Sequence, residues 1–158
     1  MATSREMDRL RAEHAALMAL ARIILAMIDD PAPLRPADLA SARSALRTTL
    51  VRHLKCEDWA LYPRLRASGE AELVRLTRAF ELEMGDLADN FAAYDDKWTA
   101  ARVAADRAGF CRETRIVFDL LGRRVEREER ELYPLADKLY SAAAPVVAPV
   151  RGGSTISS

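Results

Sequence analysis

Apolar residues recur at alternating three- and four-residue intervals along four long segments of this chain. Because this spacing places them on one face of an α-helix, it predicts helices over 4–30, 36–67, 70–99 and 106–140. No run alternates between apolar and polar residues, so no β-strand is predicted. Four long helices with short connections predict an all-α protein, an antiparallel up-down-up-down four-helix bundle. The stripe of the first segment consists of Met7, Leu10, His14, Leu17, Ala21, Ile24 and Ile28, and that of the third consists of Leu73, Thr77, Phe80, Met84, Leu87, Phe91, Tyr94 and Trp98.

The predicted bundle covers residues 1–141 as one domain, which is enough chain to bury a core without disulfides. Residues 142–158 are predicted to form a disordered C-terminal tail. They contain two prolines, a glycine pair and a Ser/Thr-rich end, and they have no amphipathic face.

The charge balance excludes several classes of partner. The 24 Lys and Arg residues equal the 24 Asp and Glu residues, so nothing in the net charge favours nucleic acid or an anionic membrane. No apolar stretch reaches the roughly 20 residues that span a bilayer, and the first residues lack the apolar core of a signal peptide. With only two cysteines, the chain is expected to carry free thiols in the cytoplasm. None of these observations excludes a protein as the partner.

The second and fourth segments repeat one another. The pattern E-x-x-x-L-Y-P begins at Glu57 and again at Glu128, an offset of 71 residues. The chain is therefore predicted to be a duplicated helical hairpin. A proline within a helix removes a hydrogen bond and clashes with the preceding turn, so its presence at both places indicates a geometric requirement near the glutamate.

The doubled motif and the helical stripes resemble the hemerythrin-like family, also called the HHE cation-binding domain, over residues 7–140. In that family the first and third helices each supply a histidine, and the second and fourth each supply His-x-x-x-Glu. These side chains bind two non-haem irons, which the two carboxylates bridge. The resemblance implies a hemerythrin-like bundle with His14, His53, Glu57 and Glu128 as candidate metal ligands.

Two positions depart from the family pattern. Met84 stands where the third helix would supply histidine, and Arg124 stands where the fourth would. The chain has only two histidines, so no neighbouring histidine can substitute for the missing ones. A full di-iron centre is therefore not expected, and the site is predicted to be degenerate.

The spacing of the remaining residues predicts a polar cluster within the core. His53 and Glu57 lie four residues apart on one helical face, and Arg124 and Glu128 repeat this spacing. Buried charged groups are costly unless they are paired or coordinate a metal. In one hypothesis Arg124 bridges both glutamates with forked hydrogen bonds and Met84 fills the other space. The domain is then a metal-free regulatory or protein-interaction module.

A second hypothesis keeps a single metal ion. Two imidazoles and two carboxylates form a donor set for iron, zinc or manganese, which would serve as a sensor of oxygen, nitric oxide or metal.

A third hypothesis is a histidine phosphotransfer bundle, although both histidines lie on predicted buried stripes. No nucleophile with an adjacent base is apparent, so no enzyme is expected. Tyr62 and Tyr133 are expected either to hydrogen-bond a carboxylate or simply to pack.

Overall fold

The computed structural model describes residues 4–143, and the regular elements in this part of the chain are all helices. No β-strand occurs over these residues, so the all-α prediction is confirmed. Two five-residue π-helical segments, Glu57–Leu61 and Glu128–Leu132, lie within the helical stretches. The α-helices are α1 (Ser4–Asp29), α2 (Pro36–Cys56), α3 (Tyr62–Ala67), α4 (Ala71–Met84), α5 (Leu87–Lys97), α6 (Ala100–Ala105), α7 (Arg107–Arg127) and α8 (Tyr133–Ala143).

Three of the four predicted helices correspond to continuous helical stretches. The first is α1, the second is α2 with a π segment and α3, and the fourth is α7 with a π segment and α8. Helix α8 extends to Ala143, beyond the predicted helix end at residue 140. The rest of the predicted tail, from residue 144 onward, lies outside the described residues.

The prediction of one continuous helix over 70–99 is wrong. The chain leaves the helix at Gly85 and Asp86, between α4 and α5. Glycine destabilises a helix interior, and a Cβ atom at Gly85 would lie 2.3 Å from the carbonyl oxygen of Glu81. The break therefore depends on glycine. The short helix α6 was not predicted, and it starts where the side chain of Thr99 accepts a hydrogen bond from the Arg102 N–H.

The helices pack into a bundle. Helix α1 contacts α2, α7 and α8, helix α5 contacts α7, and α3 contacts α4. Arg43 and Arg47 of α2 both pair with Asp95 of α5. These contacts agree with a helical bundle, while the up-down-up-down order stays a prediction.

A polar layer divides the core into two apolar clusters. On α1, His14 lies between Leu10 and Leu17, which belong to different clusters. Glu57 and Glu128 occupy equivalent places, each with one cluster before it and the other after it along the chain. The fold thus surrounds the predicted site residues with apolar packing on both sides.

Two further properties bear on the expected setting of the protein. Among the helices of residues 4–143, none combines the length and the hydropathy that crossing a membrane requires. Cys56 is half-buried and Cys111 is buried, and both are free thiols.

Candidate metal centre

The four predicted ligands lie together in the polar layer. His14 lies on α1, His53 lies on α2, and Glu57 and Glu128 each begin a π segment. Each contributes one ligand atom to a group whose members all lie within 4.8 Å of one another. All four side chains are at most 2% exposed. The structure therefore brings these residues into one buried cluster, and their role as metal ligands stays a prediction.

The π segments explain the repeated Leu-Tyr-Pro. The N–H of Tyr62 bonds the Glu57 carbonyl five residues back, and the N–H of Tyr133 does the same to Glu128. The wider turn accommodates the following proline, which cannot donate a hydrogen bond and crowds the preceding turn of an α-helix. The proline requirement that the repeat indicated thus lies in the turn that begins at each glutamate.

Each of the two tyrosines forms a hydrogen bond with the glutamate of the other repeat. The hydroxyl of Tyr62 donates to Oε2 of Glu128, and that of Tyr133 donates to Oε2 of Glu57, both at 2.7 Å. Of the two sequence-based alternatives, the structure therefore shows hydrogen bonding. Because each hydroxyl engages Oε2, Oε1 of each glutamate is left to face the histidines and Arg124.

A carboxylate contacts Nδ1 of each imidazole, on the side of the ring that faces away from the cluster. Nδ1 of His14 lies 3.0 Å from Oε1 of Glu129, and Nδ1 of His53 lies 3.3 Å from Oε1 of Glu13. A carboxylate can only accept at these positions, so Nδ1 carries the proton and Nε2 points into the cluster. Metal-binding histidines are oriented in this way.

The sequence analysis missed Glu13 and Glu129. Each stands next to a predicted ligand in the sequence, yet each contacts a histidine on another helix. Adjacency to a ligand was the only available signal, and it does not show which histidine is contacted.

Two acceptor atoms in the cluster lack hydrogen-bond partners. Nε2 of His53 and Oε1 of Glu128 are buried without one. Nε2 of His53 lies 3.0 Å from Oε1 of Glu57 without hydrogen-bond geometry. Nε2 of His14 lies 3.7 Å from Oε1 of Glu128 and 3.3 Å from the hydroxyl of Tyr133, with which it can form a hydrogen bond. Two donors that share one metal ion at about 2.1 Å are themselves separated by about 3.0–3.4 Å. The residues therefore fit a shared cation, which would satisfy acceptors that otherwise face one another.

The two central glutamates have opposite protonation preferences. Burial raises the pKa of Glu57, but the contacts with Glu128, His53 and Arg124 outweigh it and hold the pKa below the ordinary value. For Glu128, burial and the charge of Glu57 raise the pKa well above that value. The metal-free pair thus tends to retain one proton, which a bound cation would displace.

The pKa values of the two histidines are shifted in opposite directions. Burial lowers the pKa of His14 below the ordinary value. Burial acts in the same direction on His53, but the carboxylates of Glu57 and Glu13 outweigh it and raise the pKa of that side chain. A proton on Nε2 of His53 would turn its contact with Glu57 into an ion pair when no cation is present.

Arg124 lies inside the cluster and forms ion pairs with both central glutamates, although only its contact with Glu57 is a hydrogen bond, so the predicted forked hydrogen bonds to both do not form. Its shortest ion pair joins Nη2 to Oδ1 of Asp58 at 2.6 Å. Nη2 lies 3.4 Å from Oε1 of Glu57, and Nε lies 3.5 Å from Oε1 of Glu128 without forming a hydrogen bond. The shortest contact thus goes to Asp58, which sequence reasoning missed and whose side chain is 22% exposed.

Met84 closes the same side of the cluster. It is half-buried and packs against the apolar cluster that includes Leu73, Leu76 and Phe80. Its carbonyl oxygen, at the end of α4, accepts a hydrogen bond from Nη1 of Arg124 at 3.4 Å. The two departures from the family pattern are therefore in direct contact.

The comparisons with known proteins agree with this geometry. Residues 6–136 match the family model described as the hemerythrin HHE cation-binding domain, so the chain belongs to the hemerythrin family. Searches of curated proteins and of solved structures gave no match. Membership confirms the resemblance that the repeated motif indicated, and it suggests a metal-binding helical domain.

Proposed function

We propose that His14, His53, Glu57 and Glu128 hold one divalent metal ion, iron or zinc, within a non-catalytic regulatory module. The observation that carries this proposal is that Nε2 of His53 and Oε1 of Glu128 are buried without a hydrogen-bond partner, in a cluster where the outer nitrogens of both imidazoles are already bonded to carboxylates. Without a metal, the contact between Nε2 of His53 and Oε1 of Glu57 at 3.0 Å is favourable only with a proton on Nε2, and Oε1 of Glu128 still lacks a partner.

Arg124 supports a count of one ion instead of two. It brings a permanent positive charge within 3.5 Å of one oxygen of each central glutamate. A second ion on that side would meet this charge and would find Met84 in place of a histidine. The internal repeat also indicates one ion. Asp58 and Glu129 occupy equivalent positions of the two repeats, but Glu129 contacts a histidine whereas Asp58 contacts Arg124.

The protein residues would hold and shield the ion. Tyr62 and Tyr133 fix the two carboxylates, and Glu13 and Glu129 fix the two imidazoles. A ferrous ion held by these residues would supply the chemistry for binding a small ligand such as oxygen or nitric oxide. A regulatory role is favoured over phosphotransfer because both histidines are at most 2% exposed, whereas a phosphorylated histidine must reach solvent.

The wider setting is part of the same proposal. We place the module in the cytoplasm, as an up-down-up-down four-helix bundle that passes the state of its site to a protein partner. The zero net charge of the chain supports a protein over nucleic acid.

The metal content of untagged protein tests the proposal. Elemental analysis is expected to find about one iron or zinc ion per chain, as four nitrogen and oxygen donors suit. Two irons per chain would contradict the single-ion site. No metal, even after the apo protein is incubated with ferrous iron or zinc, would favour the second candidate.

The second candidate is a metal-free ion-pair cluster that serves as an interaction module. The 2.6 Å pair between Arg124 and Asp58 favours it, because it supplies a cation without any metal. Nuclear magnetic resonance of the imidazole nitrogens separates the two candidates. Zinc should shift Nε2 of both histidines in the first candidate and leave them unchanged in the second.

The carboxylate behind His14 gives a second prediction. Glu129→Gln is expected to lower metal affinity about 10–100-fold, the usual effect of losing such a supporting carboxylate. The side chain of Glu129 is 45% exposed, so the fold should tolerate the change. Zinc titration against a competing chelator measures the affinity, and Glu126→Gln is the control, since Glu126 is exposed and pairs with Arg130. Equal affinities for both variants would contradict the role of Glu129.

A further inference from the structure

Arg124 has a property that holding a metal ion does not require. Its guanidinium is 1% exposed, lies within 3.5 Å of both proposed ligand carboxylates, and is not itself a ligand. We propose that the positive charge of Arg124 makes the site favour a divalent over a trivalent ion, and therefore ferrous over ferric iron. This inference rests on the proposed function and specifies which state of the metal the protein keeps.

The geometry places the charge close to the ion. A metal that binds Oε1 of Glu57 and of Glu128 at about 2.1 Å would lie at most about 5.5 Å from the guanidinium nitrogens that face these oxygens, and slightly farther from the centre of the guanidinium charge. Apolar clusters border the polar layer on both sides, so little water separates the two charges. Arg124 cannot swing out to solvent without breaking its contacts to Asp58 and to the carbonyl of Met84.

The effect can be estimated from Coulomb's law. A unit charge about 6 Å away, at an effective dielectric constant of about 20, favours the lower charge state of the ion by a factor of about 100. For a one-electron couple, tenfold corresponds to 59 mV, so this factor is about 120 mV in midpoint potential. The charge thus acts on iron oxidation without contacting the ion.

Asp58 provides the opposing control. Its carboxylate neutralises part of the Arg124 charge through the 2.6 Å ion pair, and its side chain is 22% exposed. Removing the negative charge of Asp58 leaves Arg124 in place and its charge less compensated. The two residues should therefore shift the preference of the site in opposite directions.

The experiment loads the full chain with ferrous iron in the absence of oxygen and measures the midpoint potential with mediator dyes, which accept the single electron lost by iron. Arg124→Gln is expected to lower the potential by about 120 mV, the equivalent of a 100-fold change. Arg124→Lys, which keeps the charge, should recover most of the difference, and Asp58→Asn should raise the potential above wild type. Arg127→Gln is the matched control, since Arg127 lies on the same helix and pairs with Glu83 and Glu131 instead.

A redox-inert pair of ions gives a second readout. The ratio of gallium(III) to zinc(II) affinity is expected to rise about 100-fold in Arg124→Gln and to fall in Asp58→Asn. Equal potentials and equal ratios in wild type and both charge variants, with one metal bound in each, would overturn this inference and leave the proposed function intact. Wild type that binds neither iron nor zinc would overturn both. If Arg124→Gln fails to fold, Asp58→Asn decides alone, and an unchanged or lower potential overturns the inference.

Discussion

Replacing Met84 and Arg124 together by histidine is expected to raise the iron content from about one to about two ions per chain, as in di-iron bundles with paired Glu and His donors. The double variant would supply the third- and fourth-helix histidines of the family pattern and remove the competing positive charge. The histidine introduced at position 124 would lie four residues before Glu128, as His53 lies four residues before Glu57. Elemental analysis after anaerobic loading with ferrous iron measures the result.

The single variant Met84→His is the matched control. It should gain little iron, because Arg124 still occupies the cluster and repels a second ion. A folded double variant that binds no more iron than wild type would contradict the prediction. It would show that the break at Gly85 turns position 84 away from the site.

Replacing Arg124 by alanine is expected to lower the free energy of unfolding of the metal-free protein by about 3–5 kcal/mol at neutral pH, because removing one partner leaves buried charges uncompensated. Glu57 and Glu128 are fully buried, while Asp58 can turn towards solvent. The loss should therefore come mainly from the two central glutamates. Denaturant unfolding of the metal-free protein measures it.

The difference between wild type and Arg124→Ala should shrink in acid. In wild type Glu57 has a lowered pKa, so its contribution to stability is present above its unfolded pKa, stays in place at about pH 5 and is lost only as pH falls towards the folded pKa. In the variant the uncompensated carboxylates protonate more readily, which relieves their burial cost as pH falls. Unfolding at about pH 7.5 and about pH 5 tests this difference. Arg123→Ala, at an exposed neighbouring position, should change stability by less than about 0.5 kcal/mol, and a similarly small loss for Arg124→Ala would contradict its pairing role.

Helix periodicity was enough to predict the all-α fold and the buried stripes. Positions such as Phe80, Phe91 and Trp98 are buried as the stripe of the third segment indicates, even though the helix breaks between them. The break itself was not predicted because a single glycine lowers helix stability only modestly, and apolar spacing continued across it. The stripe therefore located the core better than it located the helix ends.

The candidate site was predictable where its geometry is local. His53 and Glu57 share a helical face because they are four residues apart, and the same relation puts Arg124 beside Glu128. The doubled E-x-x-x-L-Y-P placed both glutamates in equivalent turns, and the family match over residues 6–136 agrees with that interpretation. These relations depend only on backbone geometry within one helix, so the sequence contains them in full.

The sequence by itself thus determined the helical class, the buried polar layer and the four side chains that compose the candidate site. Only the tertiary structure decided which side chains meet across helices: Glu13 with His53, Glu129 with His14, and Asp58 with Arg124. Helical spacing states which face a residue occupies, but not the rotation and offset of the neighbouring helix. Adjacent residues on a helix point about 100° apart. If a neighbouring helix were rotated or displaced by the equivalent of one residue, a different carboxylate would face each imidazole.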